Sequence, residues 1–248
     1  MTVRRAALIG AIVSTLITAA SSGAGAEPRA VIELFTSQGC SSCPPADKLL
    51  GELSKDPSII PLSLAIDYWD YLGWKDTLSL PGHRNRQKAY SSARGDREVY
   101  TPQVVINGSA QALGSDRNAI ERAIAQSQRN PATLSLPVTL AVADGQVRVN
   151  APAGKSGSSA DVWLCPLSRA VPVAIDRGEN KGRTLTYHNV VRRWVKLGQW
   201  TGKAEAWSLP VTDIGSDNID AVAVIVQGSR ATAPGPGPIL GAAIASLR

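Results

Sequence analysis

The sequence predicts an α/β N-terminal domain over residues 27–130 and an all-β, sandwich-like C-terminal domain over residues 131–248, behind a cleavable leader over residues 1–26. Three observations predict it. The apolar, β-branched run Ala30-Val31-Ile32-Glu33-Leu34-Phe35 reads as a buried strand. It is followed by Ala46, Leu49, Leu50 and Leu53 at i, i+3, i+4 and i+7, one face of a helix with Asp47, Lys48 and Glu52 opposite. Beyond Arg129-Asn130-Pro131 the helical period stops, and about seven short runs bounded by turn residues take over. At the front, Arg4 and Arg5 precede an apolar run from Ala6 to Ala20 and small residues ending in Ala24-Gly25-Ala26.

That leader reads as a secretory signal cleaved before Glu27. A membrane anchor needs about 20 continuous apolar residues, and this run is shorter and broken by Ser14, Thr15 and Thr18. The mature chain is therefore expected to be secreted or periplasmic, with no later segment spanning a bilayer. Cleavage removes two arginines and no acid, so Lys+Arg falls from 26 to 24 against 20 Asp+Glu, and the net charge from +6 to about +4. With no Lys/Arg blocks, zinc-finger spacing or aromatic-basic RNA motif, nucleic acid is not an expected partner. At 248 residues and 44% hydrophobic, the chain has material for two domains, each with its own core.

Within residues 27–130 the order reads β-α-β-insert-β-β-α. Ile59 to Asp67 forms the second strand, with Pro61 near its start. Asp67 closes that strand either as a proton-transfer group or as a cap of the following turn. Residues 68–99 are an insertion that opens with Tyr68, Trp69, Tyr71 and Trp74 and continues through His83, Arg84, Arg86, Lys88, Arg94 and Arg97, with a helix from about Pro81 to Ser92. Its aromatics, Trp69 and Trp74 foremost, either wall a substrate groove or pack the insertion onto the sheet. Thr101-Pro102 opens a third strand, Asn107-Gly108 is a hairpin turn, Ala110–Leu113 is a short strand, and Ser115 caps a helix carrying Ile120, Ala123 and Ile124.

The chemistry lies in Cys40-Ser41-Ser42-Cys43, between the first strand and its helix. The first N–H groups of a helix lack partners and carry the positive end of its dipole, which favours a thiolate. Cys40, on the exposed lip of the turn, is then the nucleophile, and Cys43, one turn in, the resolving thiol. This arrangement, together with Tyr100-Thr101-Pro102-Gln103-Val104-Val105-Ile106-Asn107-Gly108, resembles the thioredoxin superfamily over residues 29–129. The longer wording from Glu33 to Asp47, joined with Arg177-Gly178-Glu179-Asn180-Lys181-Gly182-Arg183-Thr184-Leu185-Thr186-Tyr187-His188-Asn189-Val190-Val191, is similar to an uncharacterised family of secreted bacterial thioredoxin-like proteins. The resemblance implies a cis Pro102 facing the cysteines and a Thr101 backbone free to pair with an extended substrate. It implies a fold but no substrate. Ser41-Ser42 stand where thioredoxin has Gly-Pro, and Pro44-Pro45 where it has ordinary helix formers, so no redox poise is carried over.

The C-terminal runs are Thr133–Ala141, Gln146–Asn150, Asp161–Leu167, Val171–Asp176, Thr184–Lys196, Ala204–Pro210 and Ala221–Gln227, with loops at residues 154–159, 178–183 and 234–238. Cys165 reads as a small buried hydrophobe, with a resolving role as the alternative. Two histidines exclude a multi-histidine metal site, and Asp176, Glu179 and His188 form no metal or triad pattern, so neither metal nor cofactor is expected. The expected activity is exported thiol–disulfide exchange with protein or small-molecule thiols and disulfides, the all-β half serving docking or dimerisation. The alternative is a non-catalytic binding or scaffold protein with a structural Cys40–Cys43 disulfide. Copper handling by the same pair lacks soft co-ligands, since Met1 is the sole methionine.

Overall fold

The structure, a computed structural model, describes residues 27–155, 157–214, 218–229 and 235–247, so the leader expected over residues 1–26 lies outside the described residues. Strand β1 (Ala30–Thr36) leads through the cysteine turn to helix α1 (Pro44–Leu53), and β2 (Ile59–Ala65) to helix α2 (Pro81–Arg94). Then come β3 (Gln103–Ile106), β4 (Ala110–Leu113) and helix α3 (Arg117–Ser127). The rest is nearly all strand: β5 (Thr139–Ala143), β6 (Gln146–Ala151), β7 (Ala160–Ala174), β8 (Thr184–Val191), β9 (Val195–Trp200), β10 (Glu205–Pro210), β11 (Ala221–Ser229) and β12 (Pro236–Ser246), with one helical turn at Val211–Ile214.

The helices start and stop for local reasons. Prolines occupy the first turns of α1 and α2, where their missing N–H costs nothing. Gly95, at φ 81°, ends α2 by donating its N–H to the Ser91 and Ser92 carbonyls. Asp116, not Ser115, caps α3, accepting from the Ala119 N–H at 2.9 Å.

The expected thioredoxin-like domain with a separate β-sandwich is overturned by the sheet topology. Strands of both halves form one nine-stranded mixed sheet in the order β12-β11-β7-β8-β2-β1-β3-β4, with β9 on β7, and a three-stranded sheet β10-β6-β5 beside it. Among the described residues, 42% lie in strands and 20% in helices, so the large sheet sets the architecture. The joint is β2, which pairs parallel with β1 on one edge and with β8 on the other, where Asn189 Nδ2 donates to the Pro61 carbonyl at 3.0 Å. The sheet also curls back on itself, since the Ile239 N–H donates to the Asn107 carbonyl at 3.0 Å.

Burial shows why the halves do not separate. One core holds Val31, Phe35, Ile60, Leu62, Leu64 and Tyr90 together with Cys165, Leu167, Val191, Ala223, Ile225 and Ile239. These residues meet on a single concave face, so neither half has this core to itself. The opposite face of β1 and β3 is covered locally: Ile32, Leu34, Val104 and Ile106 pack on Leu49, Leu50, Leu53, Ile120 and Ile124. A third core, built on Val162, Leu164, Val222, Val224 and Val226, lies under the three-stranded sheet and its Val147 and Val149.

Several strand limits differ from expectation. Asp161–Leu167 and the first four residues of Val171–Asp176 lie in one strand, β7, which ends at Ala174, and Thr184–Lys196 spans two, β8 and the start of β9. Proline is poorly tolerated inside a sheet because it cannot donate to the ladder. Pro166 is accommodated because β9 pairs with β7 up to Leu164 and β8 takes over from Leu167. The expected loop at residues 234–238 contains the start of β12, an edge strand, where proline is admissible.

On the concave face, β1 carries a buried carboxylate. Glu33 is fully buried and accepts from Arg86 Nε at 2.5 Å and from the Tyr90 hydroxyl at 2.5 Å. Arg86 also donates to Gln227 Oε1 at 2.8 Å and stacks 4.2 Å from the Trp194 ring centroid. The network therefore ties β1 to α2 and to β11, and α2 is docked on the sheet through it and through Tyr90.

Candidate functional site

Cys40 and Cys43 are joined in a disulfide, with Cα atoms 5.4 Å apart, in the turn between β1 and α1. Cys43 is the residue preceding α1, and its carbonyl accepts from the Ala46 and Asp47 N–H groups at 2.8 and 3.1 Å. Cys40 is not on an exposed lip: it is 2% exposed and Cys43 0%. The enclosure comes from three sides. Ser42 places its hydroxyl 3.4 Å from Cys40 Sγ, Trp69 lies against Gly39, and a distant loop covers the Cys40 backbone.

That loop joins β7 to β8. Asn180, 1% exposed, donates from one Nδ2 to the carbonyls of Gln38 and Cys40, both at 2.9 Å. Beside it the Glu179 carboxylate accepts from the Ser41 N–H at 3.1 Å. The polar loop expected at residues 178–183 is thus part of the cysteine site. Only its adjacency in the wording from Arg177 to Val191 hinted at this, because the two segments meet through the fold.

Gln38 is the hub on the other side. Its N–H donates to Asp76 Oδ2 at 2.8 Å, and its Oε1 accepts from Trp74 Nε1 at 2.8 Å. Trp69 donates from Nε1 to Thr101 Oγ1 at 2.7 Å and stacks on Tyr71, which is 76% exposed. Trp69 and Trp74 therefore stand beside the cysteine turn. The Thr101-Pro102 peptide bond is cis, and the Thr101 carbonyl accepts from the Ser42 hydroxyl at 3.5 Å. Asp67 is held by Arg84 at 3.2 Å.

Two acids that no sequence pattern singles out are buried around the turn. Asp47, expected on the solvent side of α1, is 3% exposed, and neither carboxylate oxygen has a hydrogen-bond partner. Burial pushes its pKa up to about 8, with the nearby Asp76 adding to the effect. Asp76 is itself pushed up to about 6 by burial, against the pull of its backbone donors Gln38 and Leu78. The Thr36 hydroxyl beside Asp47 pulls the other way, and the Tyr187 hydroxyl is buried without a partner. At neutral pH Asp47 thus carries a proton one helical turn from Cys43. On the far side of the sheet, burial pushes the Cys165 thiol far up, which makes it inert. Among the described residues, no group of three or more His, Cys, Asp or Glu is placed to hold a metal ion, and no helix is long and apolar enough to cross a membrane.

A family model described as "Protein of unknown function (DUF1223)" matches residues 31–227. The chain is also similar to a structural-genomics crystal structure of an Agrobacterium tumefaciens protein, at 32% identity and a TM-score of 0.80, covering 89% of this chain and 95% of that one. No curated protein matches.

Proposed function

The chain belongs to the DUF1223 family of proteins of unknown function, and within that family we propose that it is an exported thiol–disulfide oxidoreductase acting through Cys40 and Cys43. The observation that carries this reading is the Cys40–Cys43 disulfide in a strand-to-helix turn, with the protonated Asp47 one turn beyond Cys43. A substrate thiolate attacks Cys40 Sγ, the Cys40–Cys43 bond breaks, and Cys43 leaves as a thiolate that takes up a proton. A second substrate thiolate then attacks the substrate sulfur of the mixed disulfide and displaces Cys40. Two electrons and two protons have moved from a substrate dithiol to the pair, and the substrate holds the new disulfide. The same steps reversed reduce a substrate disulfide.

A relation to thioredoxin-like proteins belongs to this proposal and rests on the Cys-x-x-Cys and Thr101-Pro102 wording. Export rests on the leader pattern at Arg4, Arg5 and Ala24-Gly25-Ala26. The exposed Tyr71, stacked on Trp69 beside the pair, offers an apolar edge to a partner.

A second reading is favoured by one observation, the near-complete burial of both cysteines, which suits a structural staple in a binding protein. Trapping separates the two. Cys43→Ser is expected to collect partners as long-lived mixed disulfides, because no resolving thiol remains, while Cys40→Ser collects none. Equally empty traps in periplasmic extract, read by mass spectrometry, would sink the oxidoreductase in favour of the staple.

A further inference from the structure

Resting on the oxidoreductase reading of the cysteine pair, we propose that Glu179 is a positioning residue that withholds the Ser41 N–H from Cys40 and so keeps the Cys40 thiol protonated and weakly nucleophilic. In a cysteine turn before a helix, the backbone N–H groups that follow the nucleophile are the donors that stabilise its thiolate. Here the donor adjacent to Cys40 is spent elsewhere. Ser41 gives its N–H to Glu179 Oε2 at 3.1 Å, across 138 residues of chain.

The carboxylate is held there by construction. The loop is closed on itself by the Ile175 N–H to the Arg183 carbonyl at 2.9 Å and by the Gly182 N–H to the Ile175 carbonyl at 2.7 Å. Its tip is pinned by the buried Asn180, which donates to Gln38 and Cys40 while its own Oδ1 accepts from Arg183 Nη1 at 3.0 Å. Gly178, at φ 75°, lies against Trp74 from the insertion. Glu179 is the next residue after that glycine and precedes the anchor, so its reach to Ser41 is set by contacts on both sides.

Glu179 acts twice in the same direction. It occupies a donor that a thiolate would use, and it adds a carboxylate one residue along the backbone from the sulfur that would become negative. The other charged or titratable groups on the elements packed against the turn are Asp47 of α1, Asp70 and Asp76 of the insertion, Tyr187 and His188 of β8, and Lys181 and Arg183 of the same loop. None of these changes when Glu179 alone is altered. A less acidic Cys40 also makes the reduced pair less favoured, so the disulfide is a weaker oxidant with Glu179 than without it.

The test is a titration that does not depend on any substrate. In reduced Cys43→Ser protein, Cys40 is the one thiol expected to ionise, because burial pushes Cys165 far up. Its thiolate absorbance is followed against pH with and without Glu179→Gln. The midpoint is expected to fall by about one unit, a tenfold gain in thiolate below the midpoint. Glu179→Asp should restore part of the shift, and the gap between the charged and neutral variants should shrink in about 1 M salt, where an exposed charge is screened. Glu179→Ala serves as the second neutral variant should the amide of glutamine disturb the loop. Midpoints that agree within error at low salt in both neutral variants overturn the proposal. The oxidoreductase reading fails by a different result, empty traps alongside a shifted midpoint.

Discussion

Two carboxylates lie buried within a few residues of the cysteine turn, and the protein treats them in opposite ways. Glu33, on the concave face of β1, receives Arg86 and Tyr90 at 2.5 Å each, so its charge is matched by a cation and a hydroxyl. Asp47, on α1, receives nothing on either oxygen and is held protonated up to about pH 8. A buried charge that keeps its partners can be permanent, whereas a buried acid without them answers to pH. The first kind locks halves of the molecule together. The second leaves a proton within reach of the chemistry.

The comparison breaks most completely if the halves are parted. A chain ending at residue 130 lacks Gln227, which accepts from Arg86, and strips the concave core of Cys165, Leu167, Val191, Ala223 and Ile225. Such a fragment is expected to show no cooperative unfolding transition in denaturant, and a sharp two-state transition would refute the shared core. Next in size is Arg86→Ala, which removes the cation from a fully buried Glu33 and leaves it only the Tyr90 hydroxyl. The expected loss is about 3–5 kcal/mol in urea unfolding, and a loss below about 1 kcal/mol would mean the network is incidental.

The smallest effect is the most specific. Between the carboxylate range of the unfolded chain and about pH 8, native Asp47 holds a proton that the unfolded chain has released. The native state then binds more protons than the unfolded one, so stability falls as pH rises. Asp76 behaves likewise only up to about pH 6, which leaves pH 6–8 as the window where Asp47 acts alone of the two. Over that window the wild type should lose at most about 1.4 kcal/mol per pH unit, and Asp47→Asn should be flatter. Parallel stability curves for the two proteins would contradict an unpaired buried acid.

How much of this the sequence disclosed follows from the range of each interaction. Helix α1 was legible because Ala46, Leu49, Leu50 and Leu53 repeat at helical spacing, and α2 because Pro81 opens it. Asp47 was misplaced for the same local reason: beside Lys48 and near Glu52 it reads as solvated, and nothing in α1 reveals that β8 packs against the helix, bringing His188 onto Gly51 and Tyr187 near Asp47. Glu33 was hidden in an apolar run whose counter-charge, Arg86, stands 53 residues on and reads as one more surface cation of the insertion. Splitting β7 in two had a physical basis, since Ser168 and Arg169 interrupt its apolar pattern. The strand runs on because it changes partners there. The cysteine pair was readable as chemistry, but its cover of Glu179 and Asn180 was not, because a loop docks by tertiary geometry that no local spacing records.

The seam between β2 and β8 bears on how such a chain is assembled over time. Asn189 and Pro61 meet across 128 residues, and the parallel partner of Ser63 is Val190. In a chain made N-terminus first, β1–β4 and the three helices exist before β8 does, so the outer edge of β2 still offers an unpaired row of N–H and C=O groups. Contacts of such high sequence separation make folding slow, and an open edge is a template for joining the wrong chain. Until Val191 is in place the outer edge of β2 lacks its parallel partner, and that is the interval in which this edge is open to pairing with another chain.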